Sequence, residues 1–150
     1  MSNQFLRASA IALMLFTLPL SISTAQADSE GDKNSVGDTG PNGGKVYYID
    51  GSGEHGLEVQ AVDEGTTLDW SSAATAASAH GAGWHLPTKT ELELLYKQQS
   101  VVGGFNDNLY WSSTESEHDS QLAWSLYFLN GNQKVAYKDF MLKVRAVRAF

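Results

Sequence analysis

The chain has 150 residues, no cysteine and a formal net charge of −7. That length holds one domain, and the missing thiols exclude disulfides, zinc–thiolate sites, cysteine nucleophiles and thiol redox motifs. The acidic balance makes nucleic acid and polyanionic glycans poor partners, because the chain's own field repels them.

Arg7 precedes an apolar run at 8–20, which Pro19, Ser21 and Ser23 interrupt, and Ala25-Gln26-Ala27 has the form of a cleavage site. Residues 1–27 therefore predict a secretory signal peptide cut before Asp28. The run is too short and too broken to span a membrane. With no cysteine at the cut a lipid anchor is excluded, and the expected location is periplasmic or secreted. Loss of Arg7 makes the mature chain one charge more negative. Residues 28–35 are polar and predict a flexible tether, which leaves 36–150 as the folded domain.

The glycines of 36–44 are not a phosphate loop, since no Gly-Lys-Ser/Thr follows and no strand precedes them. Residues 45–49, KVYYI, predict a first strand rich in β-branched and aromatic residues. Turn signals at 50–53 and a second strand over 56–61 make a hairpin. Asp63, Glu64 and Asp69 follow at a spacing that matches no calcium loop, so they are expected to be solvated. Asp69 is also the expected N-cap of a first helix, whose small-residue body runs over 72–79. Residues 81–88, GAGWHLPT, predict a buried corner. Gly81 and Gly83 free the backbone, Trp84 supplies apolar surface, and Pro87 keeps Leu86 extended. Thr88 and Glu91 predict a capping box for a helix over 89–98, with Leu92 and Leu95 on one side. His85 is expected to be structural.

A loop over 100–108 leads to a β meander: a strand at 109–113, a polar loop at 114–121 and a strand at 122–129. Trp124, Leu126 and Phe128 share one face of that strand; Ala123, Ser125 and Tyr127 share the other. Asn130-Gly131 is a hairpin turn and 133–137 returns. A last strand is expected over 143–150, with Val144, Ala146 and Arg148 on one face and Arg145, Val147 and Ala149 on the other. An inward-pointing arginine there would need a carboxylate or carbonyl partner.

The ordered set G-D-T-G-P-N-G-G-K-V-Y-Y-I-D, H-G-L-E, G-W-H-L-P-T-K-T-E-L, Y-W-S-S-T-E, A-W-S-L-Y-F and V-R-A-V-R resembles the Lcl C-terminal domain family. These are exported bacterial domains of largely unassigned function, and the resemblance covers 36–150. It implies a C-type-lectin-like fold of α+β class. Two helices would pack on small antiparallel sheets, the N- and C-terminal strands would pair, and a second sheet would carry the binding loops. Carried over by position, the implied ligand-binding candidates are Glu115, Glu117, His118, Asp119, Gln121, Asn130, Asn132, Lys134 and Tyr137. The Glu-Pro-Asn, Gln-Pro-Asp and Trp-Asn-Asp triplets of calcium-dependent lectins are absent. Calcium-dependent sugar binding is therefore not expected, and no cofactor is.

Glu115, Glu117, His118 and Asp119 are close enough in sequence to hold a divalent cation or to act as acid and base; a solvated charged loop is the plainer expectation. His118 and Asp119 with Ser112, Ser113 or Ser120 imitate a hydrolase triad, but no nucleophile elbow accompanies them. The tryptophans Trp70, Trp84, Trp111 and Trp124 are expected in the core, with Tyr110 and Tyr137 as the exposed aromatics. The expected function is a non-enzymatic binding or adhesion module for a carbohydrate or a surface protein. A metal-assisted enzyme using 115–119 is the alternative, and a structural envelope protein with a polypeptide partner is a third. The expected molecule is a monomer with no nucleic-acid partner and no membrane span.

Overall fold

The structure is a computed structural model and describes residues 33–150. The signal peptide expected over 1–27 and residues 28–32 of the expected tether lie outside them. Strands β1 (Lys45–Ile49) and β2 (Gly56–Val59) form the expected antiparallel hairpin. A register shift between Val46 and Tyr48 turns both Val46 and Tyr47 inward and leaves Tyr48 outside.

Helix α1 (Trp70–Ala79) begins where Asp69 accepts a hydrogen bond from the Ser72 amide at 3.0 Å. Its small face, Ala73 and Ala77, is buried against Trp84 and Trp111. Helix α2 (Lys89–Lys97) carries the expected capping box. The Glu91 amide donates to Thr88 Oγ1 at 3.2 Å, and the Thr88 amide donates to Glu91 Oε2 at 2.8 Å. A short helix α3 (Gln99–Val102) takes the start of the stretch expected as loop, because Val102 packs into the core before Gly103 turns the chain.

Strands β3 (Leu109–Glu115), β4 (Leu122–Tyr127) and β5 (Asn132–Tyr137) form one antiparallel sheet. Strand β6 (Val147–Ala149) joins β1 and β2 in the other. First and last strands thus share a sheet as expected, but through β2 and not directly: the order is β1-β2-β6. The outer edge of β1 is already taken, since the Gly37 amide donates to Val46 O at 2.8 Å and the Val46 amide to Asp38 O at 2.9 Å. The final strand is shorter than expected. Leu142 and Lys143 make isolated bridges to Leu68 and Tyr110, and the chain then crosses from one sheet to the other before β6 begins.

That crossing is buried on every side from Val144 to Val147, and Arg145 lies inside it at 1% exposure. The partner such an arginine needs is Asp63, which accepts from Arg145 Nε at 2.7 Å. Its Nη1 and Nη2 donate to the carbonyls of Gly103 and Gly104. Asp63 is therefore a structural counter-charge and not the solvated residue expected. Glu64 pairs with His80 at 2.6 Å and Asp69 caps α1. Tyr110 is also corrected: it is fully buried, because its hydroxyl donates to Asp63 at 2.8 Å and its ring packs on Phe128.

Two apolar clusters hold the layers together. One gathers Tyr47, Val59, Leu92, Leu95, Leu126 and Phe128 between the sheets and α2. The other gathers Ala73, Ala77, Trp84, Trp111, Ala123 and Val144 under α1.

Candidate functional site

In the β3–β5 sheet, Leu122, Trp124 and Leu126 are register partners of Tyr137, Val135 and Gln133. Side chains opposite one another across a ladder share a face, so these six form one surface. Helix α2 covers only part of it. Leu126 joins Leu92 and Leu95 in the core, and Gln133 Nε2 donates to Glu93 Oε2 on α2 at 3.3 Å. Towards the first turn of α2 the cover thins, and Trp124 is half-buried while Val135 and Tyr137 are exposed. The result is a groove of about 520 Å³ with Trp124, Val135 and Leu122 as apolar lining and Lys89, Glu117 and His118 as charged or titratable lining. Lys89, the first residue of α2, holds Nζ 3.3 Å from the centroid of the Trp124 ring. A cation there meets the electron-rich ring face.

Two of the nine sequence-derived candidates, Glu117 and His118, line this groove. Tyr137 stands next to it on the same face, exposed as expected, with its ring 5.8 Å from that of Phe140. The others are dispersed. Glu115 pairs with Lys138 Nζ at 2.6 Å. Asp119 accepts from the Gln121 amide at 2.8 Å, and Gln121 borders a separate hollow with Ser120 and Lys138. Asn130 and Asn132 border another beside Tyr96, where Asn130 Oδ1 accepts from the Asn132 amide. Lys134 projects to a hollow lined also by Tyr127 and Lys143.

The acidic loop does not converge. Among the described residues no three His, Asp or Glu side chains stand close enough to hold a metal ion. Of the three serines in the triad reading, Ser112 is buried and its hydroxyl donates to Trp124 O at 2.8 Å. Trp84 and Trp111 are core residues as expected, and Trp111 Nε1 donates to Leu68 O. Trp70 is half-buried under Lys138, with its indole N–H donating to Ser112 O. Trp124, expected in the core, is the correction, and with Lys89 and Val135 it is what sequence reasoning missed at the groove. Strand alternation put Trp124 correctly on the face of Leu126 and Phe128. It carries no information on how far along that face a helix from elsewhere in the chain extends.

His85 is structural, as expected. Its Nδ1 lies 3.0 Å from Gly83 O and its Nε2 3.3 Å from Glu91 Oε2. A carbonyl only accepts, so both ring nitrogens donate when the ring is protonated. The hydrogen bond to Glu91 raises the pKa of His85 above its ordinary value, against the opposing effect of burial. Burial pushes Glu91 up, but the hydrogen bonds from His85 and Thr88 outweigh it and hold the carboxyl below its ordinary value.

Residues 46–148 match the family model of the Lcl C-terminal domain. No curated protein matches the chain. Among solved structures, a chain from a complex of a mutant von Willebrand factor A1 domain with botrocetin is similar at 12% identity and a TM-score of 0.44. The match covers 74% of this chain and 98% of that one. The snake venom toxin convulxin is similar at 12% identity and a TM-score of 0.44, over 70% of this chain and 93% of that one.

Proposed function

The chain belongs to the Lcl C-terminal domain family, and on that premise we propose that it is an exported, non-enzymatic ligand-binding or adhesion module. The single observation that carries this is the incompletely covered face of β4 and β5, where Val135 and Tyr137 are exposed and Trp124 is half-buried with Lys89 over its ring. An aromatic and apolar floor with Lys89 over the indole and Glu117 and His118 beside it can pack against a sugar or seat an apolar side chain of a surface protein. Glu115 and Asp119 are engaged elsewhere, by Lys138 and the Gln121 amide, so only Glu117 and His118 of the acidic loop reach the groove, which favours a binding role over the metal-assisted alternative.

The test is thermal unfolding of the purified chain with a glycan panel, for the native sequence and for Trp124→Ala. A ligand present at about 100 times its dissociation constant stabilises by about 2.7 kcal/mol. A glycan-dependent shift lost in Trp124→Ala supports carbohydrate binding at this face. A shift that Trp124→Ala retains removes this face as the site. No shift with any glycan leaves the surface protein as the ligand class, for which binding to host or bacterial surface extracts must then depend on Trp124.

A further inference from the structure

On the opposite face of the same sheet the cover is also incomplete. Ala123 and Ala136 are register partners buried beneath α1, but further along the ladder Ser125 pairs with Lys134, and Tyr127 with both Leu109 and Asn132. Here the sheet face and the segment before the crossing enclose a hollow of about 280 Å³. Its polar lining is Thr67, Asn108, Tyr127, Lys134 and Lys143, and its apolar lining is Leu109, Leu142 and the exposed Met141.

The charges of this hollow are unusual for so acidic a chain. No aspartate or glutamate lines it, while two lysines do. Among the described residues Lys134 has no carboxylate within 4.0 Å. Lys143 reaches Asp63 only at 4.0 Å, and Asp63 is already engaged by Arg145 at 2.6 Å and by the Tyr110 hydroxyl. The buried guanidinium has therefore consumed the carboxylate that would otherwise neutralise Lys143. Two ammonium groups remain beside a carboxamide and two hydroxyls that can donate or accept.

We propose that this hollow is a binding site for a small carboxylate carrying an apolar edge. The ammonium groups would take the carboxylate, Asn108 and Tyr127 would take neighbouring polar groups, and Leu109 and Met141 would pack on the apolar edge. Lysines act as point charges without the bidentate fork of arginine, so they suit a carboxylate approached from several directions. The volume of about 280 Å³ lies just below the range of ligand pockets, roughly 300–1,000 Å³, which suits a ligand the size of a single sugar or amino acid. A small monoanion also escapes the overall repulsion of a chain with net charge −7. At physiological salt that repulsion is screened over ~8 Å, whereas a polyanion would lie across acidic surface well beyond the two lysines.

The site is independent of Trp124, which faces the other side of the sheet, and the test uses that separation. The purified full chain is titrated calorimetrically with glucuronate, with N-acetylalanine and with neutral glucose. Either carboxylate is expected to bind at least tenfold more tightly than glucose, and which of them binds better identifies the source as an acidic sugar or a peptide-like acid. Lys134→Gln and Lys143→Gln are each expected to weaken that binding about tenfold, and Trp124→Ala to leave it unchanged. Lys134→Gln alters an exposed side chain, so it keeps the test valid if Lys143→Gln perturbs the crossing. Equal binding of glucose and glucuronate, binding indifferent to both lysine substitutions, or no heat with either carboxylate would overturn the proposal.

Discussion

Arg145, at 1% exposure, donates from Nε to Asp63 at 2.7 Å, across 82 positions of sequence. This pair ties the crossing between the sheets to the loop before α1. Through the carbonyls of Gly103 and Gly104 and the hydroxyl of Tyr110, it also ties in the loop after α3 and strand β3. Burial, with the Asp63 hydrogen bond acting in the same direction, pushes the Tyr110 phenol up to about 12, so at neutral pH it is a donor to the carboxylate.

Asp63→Asn keeps the shape of the side chain but leaves a buried guanidinium without its counter-charge. The expected loss is about 3–5 kcal/mol in urea unfolding. A pairing role further predicts that Arg145→Met costs less in the Asp63→Asn background than alone. Strict additivity would refute the pairing.

The His85–Glu91 pair gives a pH dependence whose sign follows from its shifts. The folded pKa of His85 is raised from its ordinary 6.5, so its contribution is complete below that value and lost as pH rises through the raised one. The folded pKa of Glu91 is lowered from 4.5, so its contribution is complete above that value and lost as pH falls through the lowered one. The two overlap between about pH 4.5 and 6.5. Both side chains are partly exposed, so solvent screening limits the effect to about 0.2–1 kcal/mol. Thermal melts of His85→Gln should be flatter than native above pH 6.5; an unchanged alkaline slope would show that His85 is not its source.

Gly131 has φ 74° in the β4–β5 turn, and a Cβ there would meet the ring of Tyr96 on α2. Gly131→Ala therefore combines left-handed backbone strain of about 1–2 kcal/mol with displacement of Tyr96 from Phe128, whose ring centroid lies 5.6 Å away. A melting temperature equal to that of the native chain would contradict the turn geometry.

The two tryptophans at 111 and 124 should behave differently. Trp111 is fully buried with a hydrogen-bonded indole, so Trp111→Ala should cost about 3–5 kcal/mol. Trp124 is half-buried at the open groove, and Trp124→Ala should cost about 1 kcal/mol or less. Equal losses in chemical denaturation would mean that Trp124 is a core residue after all.

Local chemistry was legible in the sequence because its causes are local. Asp69 and the Thr88–Glu91 capping box marked both long helices, and β-branched and aromatic runs marked β1 and the meander strands. The order of motifs also placed the chain in its family. Alternation along 122–128 puts Trp124 with Leu126 and Phe128 on one face, and an inward arginine in the last strand calls for a carboxylate or carbonyl whatever the fold.

Only the tertiary structure decided which partners met. Asp63 and Arg145 are chosen for each other by the crossing of the chain between sheets, and no spacing records that. The length of β-sheet that α2 covers decides that Leu126 is core and Trp124 only half-buried, although both obey the same alternation. The parting of Glu115 from Glu117 and His118 has the same origin. Proximity in sequence sets no side-chain direction at a strand end, and Lys138, from beyond β5, draws Glu115 away from its neighbours.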